Sequence, residues 1–392
     1  MKPIPIVGYD AVCPAGASTP QLEKSLIEGR SGISTTSSVL PAAECPLGEI
    51  RDGVPDLPPV VAAHDSRCNR LLAMSANRIK DVLELATKRF GPERIGAVVG
   101  TSASGNTDLE AAFEADGALD FDYHHRQSFG SAAAMIRRLT GIRGPAFTVS
   151  TACSSGANAM ISAAGLIQSG VCDAVVVGSS DALCRTTYEG FRSLQVMDDQ
   201  PCRPFDATRA GLNLGEGAAV LVLSKERLGG PIDDQGLFLA GFGASSDAHH
   251  MTAPDPEGLG AARSMANALE TAGIAPADVG YLNLHGTGTR LNDESESRAV
   301  ERVFGAHHLP CSSTKGYTGH LLGAAAGVEA VITLIALKSG RLWRNLNLEE
   351  QDPKVAIRIL KQDEDARDIR YAMSNSFAFG GNDTSIIFGR WR

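Results

Sequence analysis

An α/β layered fold is what this sequence predicts, on three observations. Short β-rich runs alternate with helix-patterned stretches along the chain, the order that layered α/β architectures require. The same succession of features runs through the chain twice. Its 392 residues also exceed the roughly 250–300 at which a single core stops growing, as expected for two fused halves.

The elements follow in order. Residues 5–16 (PIVGYDAVCPAG) read as a strand running into a small-residue loop, and 70–88 as a helix. Segments 95–100 (IGAVVG), 174–178 (AVVVG), 218–223 (AAVLVL), 279–284 (VGYLNL) and 384–388 (TSIIF) are short, apolar and bounded by turn residues, so they read as buried strands. Helical patterns cover 159–168, 261–272 and 324–338. The repeat pairs 5–16 with 239–249 (LAGFGASSDAH), 94–104 with 278–289, and 150–170 with 313–340. In the last pair Ser-Thr precedes a small-residue helix that ends in Ser-Gly. A Gly/Pro/Asp stretch at 228–235 (LGGPIDDQ) suits a linker, dividing the chain into halves 1–230 and 231–392.

Composition bounds the function. Apolar residues make up 43% and charged residues 21%, the values of a globular protein rather than a disordered or fibrous one. The net charge of −9 argues against a chain-wide grip on nucleic acid. No run of apolar residues long enough to span a membrane and no signal-like start is read, so no membrane span is expected. None of the eight cysteines forms a C-x-x-C pair, which points to buried thiols in a reducing, cytoplasmic protein and to no metal site.

One cysteine stands apart. In VSTACSSGANA, Cys153 lies where a strand gives way to a small-residue helix. The dipole and free N–H groups of a helix start favour a thiolate, so a lowered pKa is expected, and a nearby N–H can hold an oxyanion. Two histidines occupy Gly-rich turns: His285 in NLHGTGT, and His320 in STKGYTGH just before a helix. A histidine near a helix's positive end stays neutral and can donate an N–H. A poised Cys with two such His is the grouping acyl transfer needs. A fourth segment, SNSFAFGGND (374–383), brings a Gly pair just before a strand.

Other readings fail. Ser312 to Lys315 fits S-x-x-K, but no K-T-G or S-D-N follows. The Gly-x-Gly turns lack the third glycine of a dinucleotide loop, and there is no Walker loop. His124-His125, His249-His250 and His307-His308 lack metalloprotease spacing and read as surface residues.

Taken together, VSTACSSGANA, NLHGTGT, STKGYTGHLLGAAAGVEA and SNSFAFGGND resemble, in order and over essentially the whole chain, the signature regions of the β-ketoacyl-acyl carrier protein synthases. That resemblance implies a thiolase fold, with duplicated βαβαβ halves in a five-layered α-β-α-β-α sandwich. It implies decarboxylative condensation of a malonyl thioester with an acyl chain held on Cys153. By the same resemblance His285 and His320 bind the malonyl thioester carbonyl. Lys315 pairs with Glu296 to hold the histidines, and the N–H groups of Cys153 and Phe379 form an oxyanion hole. Phe377 and Phe379 lie in the loop gating the acyl pocket, and Thr287 and Thr289 bind substrate. Arg67 and Arg70 match positions used for docking an acyl carrier protein, and Ala103 a position setting pocket depth. No cofactor is implied beyond the phosphopantetheine that arrives on the carrier. The partner is a second copy or a chain-length-factor-like homologue. A thiolase would need a late second catalytic cysteine, an initiating synthase an Asn at 320, and a chain-length factor would lack Cys153.

Two departures suggest a specialised substrate. The family's usual G-F-G-G-T-N reads Ala378-Phe379-Gly380-Gly381-Asn382-Asp383, and Leu212 stands where many relatives have Phe. The former resembles synthases of aryl polyene pigments.

Overall fold

The computed structural model describes residues 1–391 except 52, 116–119, 231 and 306–308. His307 and His308 lie outside the described residues. The first half supplies strands β1 (Ile4–Val12), β2 (Ile95–Gly100), β3 (Ala146–Val149), β4 (Ala174–Asp181) and β5 (Gly217–Ser224). The second supplies β6 (Leu237–Ser246), β7 (Val279–Asn283), β8 (Cys311–Ser312), β9 (Tyr371–Ala378) and β10 (Asn382–Arg390). The principal helices are α1 (Arg67–Arg78), α2 (Lys80–Phe90), α3 (Gly130–Thr140), α4 (Ser155–Gln168), α5 (Arg185–Ser193), α6 (Leu259–Ala272), α7 (Arg290–Phe304) and α8 (Ala325–Ser339).

Sheet topology repeats the internal duplication. The first half orders its strands β3-β2-β4-β5-β1 and the second β8-β7-β9-β10-β6. The first two pairings are parallel and the last two antiparallel in both halves. The sheets join through β1, which pairs along most of its length with β5 but only at Ile4 and Pro5 with β6.

Apolar packing fills the spaces between five layers. The middle core packs α4 and α8 between the two sheets, with Val98, Val175, Leu221 and Leu239 facing inward. A second core packs α1 and α3 on the outer face of the first sheet, and a third packs α6 and α7 on the outer face of the second. Alternation along each strand sends successive side chains to opposite faces, so these strands are apolar on both. This is the five-layered thiolase sandwich.

The stretch Leu322–Ser339 is long and apolar enough to cross a membrane by composition, yet 89% of it is buried, because it is the central core helix. The expected single helix over 70–88 is two. α1 ends at Arg78, and Ile79 (φ −107°, ψ 16°) turns the chain into α2. Leu83 and Ala86 of α2 pack in the same core as Leu71 and Leu72 of α1.

Candidate active site

The site assembles where the ends of the two halves meet. Cys153 sits two residues before α4, in a tight elbow where Ala152 takes φ +49°. Ser155 braces the elbow: its hydroxyl donates to Ala152 O (2.6 Å) and accepts from Thr151 N (2.9 Å). Gly156 explains how the second half comes so close. A Cβ at 156 would lie 3.1 Å from Gly323 O and Gly327 N. A hydrogen there lets the start of α4 approach the backbone that carries His320.

His320 follows a short helix, Lys315–Thr318, and is fixed through its backbone: His320 N donates to Asn213 O (2.7 Å) and Gly215 N donates to His320 O (2.9 Å). Its Nε2 lies 3.1 Å from Cys153 Sγ. His285 emerges from the end of β7, its ring 5.4 Å from that of His320 at 83°. Both imidazoles are buried and held well below the usual histidine range, first by burial and then by the Lys315 charge. Neutral imidazoles result, as the sequence predicts. Lys315 Nζ also lies 3.4 Å from His285 Nδ1. An ammonium can only donate, so Nδ1 accepts and the ring proton stays on Nε2.

The thiol differs from expectation. Burial pushes Cys153 up to about 12, although the Lys315 charge and the N–H groups of Phe379 and Cys153 itself pull the other way. Desolvation of the anion outweighs the helix start, so the resting pair is a thiol beside a neutral imidazole.

A second difference concerns the lysine's partner. Lys315 Nζ bonds Glu329 Oε1 at 2.5 Å, and also His285 O. Glu296 does not pair with it. That carboxylate accepts from His285 N (2.8 Å), Gly286 N (2.8 Å) and Asn375 Nδ2 (3.1 Å), shaping the histidine turn from α7. Glu329 lies on α8, which runs beneath the site, so it and not Glu296 reaches the ammonium.

A cavity of about 380 Å³ opens onto Cys153, His285 and His320. Its wall includes Leu212, Thr287, Thr289, Phe377 and Phe379. Phe377 belongs to strand β9 rather than to the loop expected for it, while Phe379 sits in the following turn. The Phe379 ring stacks on Phe191 of α5 at 5.4 Å and 17°.

Ala103 does not reach this wall. It is buried in the loop after β2, and its N–H donates to Asp181 Oδ1 at 2.8 Å. The buried Asp181 also accepts from Thr101 Oγ1 (2.7 Å) and Gly323 N (2.6 Å), pinning that loop to the chain before α8 and away from the cavity.

The two arginines are also engaged internally. Arg67 forms a two-pronged bond to the buried Glu216, with Nε at 2.8 Å from Oε2, and Arg70 pairs with Asp65 and Asp56. Guanidinium groups held by acids of their own fold are poor attractors for an acidic partner.

Sequence reasoning passed over Glu329, Phe191, Asp181 and Asp247. The signal for Glu329 was present: a lone acid in the apolar run AAGVEAVITLIAL must have a buried partner. Among the described residues no group of three or more His, Cys, Asp or Glu could hold a metal ion.

The comparisons with known proteins agree with this geometry. The beta-ketoacyl synthase N-terminal domain model matches residues 1–228, and the C-terminal domain model matches residues 238–349. The chain is 32% identical to 3-oxoacyl-[acyl-carrier-protein] synthase 2 of Staphylococcus aureus (strain COL), over 100% of this chain and 99% of that protein. Its fold resembles a chain of the complex of the ketosynthase ApeO with its chain length factor ApeC from Xenorhabdus doucetiae. The TM-score is 0.90 and identity 37%, over 99% of this chain and 98% of that one. A beta-ketoacyl synthase from Burkholderia phymatum STM815 superposes with TM-score 0.87 at 30% identity, with 100% of both chains covered. With both domain models matched in order and relatives aligned end to end, this chain belongs to the beta-ketoacyl synthase family.

Proposed function

We propose that this protein extends an acyl chain by two carbons through decarboxylative Claisen condensation, with Cys153 as acyl carrier and His285 and His320 as the decarboxylation pair. It is an acyltransferase of the 3-oxoacyl-synthase class. The observation that carries the reading is one cavity floor with Cys153 Sγ 3.1 Å from His320 Nε2 and His285 beside it.

In the first half-reaction the thiol attacks an acyl thioester, and the departing carrier thiol takes up its proton. The N–H groups of Cys153 and Phe379, both directed at Sγ, are the donors for the oxyanion. In the second, a malonyl thioester loses carbon dioxide, and the bonding pair moves onto the α-carbon and thioester oxygen. Two neutral N–H donors stabilise that enolate without surrendering their protons. The α-carbon then attacks acyl-Cys153, a C–C bond forms, and the Cys153 thiolate leaves and is reprotonated. Lys315, anchored by Glu329, keeps His285 in the donor tautomer.

Both substrates ride on the phosphopantetheine arm of an acyl carrier protein, and the hydroxyls of Thr287 and Thr289 in the cavity wall are suited to its amides. The pathway proposed is a specialised one, of the aryl polyene or polyketide kind. Leu212 in place of an aromatic ring leaves more room at the cavity wall, and the similarity to a chain of the ApeO–ApeC complex favours the same reading. The partner proposed is a chain-length-factor-like homologue, or otherwise a second copy.

The test is condensation itself. Purified protein given an acyl carrier thioester and isotopically labelled malonyl carrier thioester should release labelled carbon dioxide and a 3-oxoacyl product two carbons longer. Carbon dioxide without a longer product, in the presence of acyl donor, would contradict the reading.

A further inference from the structure

The cavity wall holds a second polar group that the condensation chemistry leaves unused. Asp383, at the start of β10, is 3% exposed, and its Oδ2 has no hydrogen-bond partner among the described residues. Asp247, just past the end of β6, has an equally unpartnered buried Oδ1. Both residues line the cavity. Their oxygens converge on Gly260 of α6, where any Cβ would collide with Asp247 Oδ1 and Asp383 Oδ2 together. Glycine at 260 is what lets the two carboxyls meet.

Two carboxylates so placed repel one another when both are charged, and a proton shared between them relieves that repulsion. The charged groups that act most on Asp383 are the acids Asp247 and Asp255 from the loop after β6 and Glu296 from α7, and Arg290 at the start of α7 lines the same cavity. His249 and His250 of that loop are exposed. Burial first, then Asp247, pushes Asp383 up to about 8.

The pair spans two segments. Asp247 N donates to Gly381 O (2.9 Å) and Gly380 N donates to Met251 O (2.8 Å). Asp255 N donates to Asp247 Oδ2 (3.0 Å), which folds the loop 247–255 back on itself. The opposite segment is the turn carrying Phe379, whose N–H faces Cys153 Sγ.

We propose that Asp247 and Asp383 form a proton-sharing carboxyl pair that clasps the loop 247–255 to the Phe379 turn, making Asp383 a positioning residue for the Phe379 N–H. The proposal rests on the reading of Cys153 as the acylated thiol. Loss of the shared proton sets two carboxylates face to face among further acids, and the turn moves off the sulfur. Alkaline pH thus weakens acylation, whereas ionisation of the Cys153 thiol alone would strengthen it.

The experiment measures Cys153 acylation by an acyl carrier thioester across pH, together with backbone hydrogen exchange at 247–255 and 379–381, corrected for intrinsic pH dependence. Acylation in the unmodified protein should fall about tenfold per pH unit above the ionisation, as for loss of one proton. Protection of both segments should fall with it. In Asp383→Asn an amide donates to Asp247 at every pH, so the alkaline fall and the loss of protection should both disappear, whatever the rate at neutral pH. Asp247→Asn reads the same pair from the other side should the first variant fold poorly. An alkaline fall that persists in these variants, or protection independent of pH in the unmodified protein, would overturn the proposal. Absence of acylation at any pH would instead refute the functional reading, and the exchange data would still decide the carboxyl pair.

Discussion

Lys315 Nζ lies 2.5 Å from Glu329 Oε1, and both side chains are buried. Truncating one member of a buried ion pair leaves the other charge uncompensated, at a cost of about 3–5 kcal/mol. Glu329→Ala should therefore lower the unfolding midpoint markedly. It should also slow malonyl decarboxylation more than Cys153 acylation, because Lys315 then no longer fixes the His285 tautomer. An unchanged midpoint in thermal unfolding would show that the pair is not formed.

The histidines should separate. His320 Nε2 lies 3.1 Å from Cys153 Sγ, while the His285 ring lies 5.4 Å from that of His320. Either substitution by Ala should reduce malonyl decarboxylation by about 10²–10³, the effect of one lost oxyanion donor. His285→Ala should spare acylation of Cys153, and His320→Ala should slow it. Equal effects of both variants on both half-reactions would contradict this assignment.

The imidazoles should not titrate near their usual range. Burial and the Lys315 charge both disfavour the cation, so the neutral form persists as pH falls through 6.5. Isotope-edited NMR should find the ring signals of His285 and His320 unchanged between pH 8 and about 6. A midpoint near 6.5 for either buried ring would remove the basis for neutral N–H donors.

Much of this site was legible because its chemistry sits where strands give way to helices. Cys153, His285 and His320 each occupy a Gly- or Ser-rich junction, and such junctions are visible in a linear sequence. The fold was legible for a related reason, since the two sheets repeat one strand order. Partners were not legible. Glu329 reaches Lys315 only because α8 runs beneath the site, and Arg67 faces inward because Glu216 waits there. The thiol's pKa was misjudged because the helix start is visible in sequence and desolvation is not. Phe191 and Asp247 come from segments far along the chain, joined to the site only by the packing of the layers.

Chain-length selection should respond to Leu212 and not to Ala103. Leu212 lines the cavity of about 380 Å³, and an added ring would occupy part of it. Leu212→Phe should disfavour long acyl chains by about 1–3 kcal/mol, the usual cost of overpacking, while short chains still react. Ala103→Phe should lower stability instead, because that side chain is buried beside the Asp181 hydrogen bonds. Competition between short and long acyl donors, read by mass, distinguishes the two. A length shift in Ala103→Phe alone would place the acyl chain elsewhere.

The central claim is that Cys153 carries the acyl chain, and intact-protein mass after exposure to acyl carrier thioesters tests it most directly. The unmodified protein should gain one acyl group, mapped by peptide digestion to Cys153 and discharged when malonyl carrier thioester is added. Cys153→Ala, which fits the same helix start, should fold and gain nothing. A covalent acyl adduct on the folded Cys153→Ala protein, or an adduct on the unmodified protein that malonyl thioester leaves in place, would contradict the account.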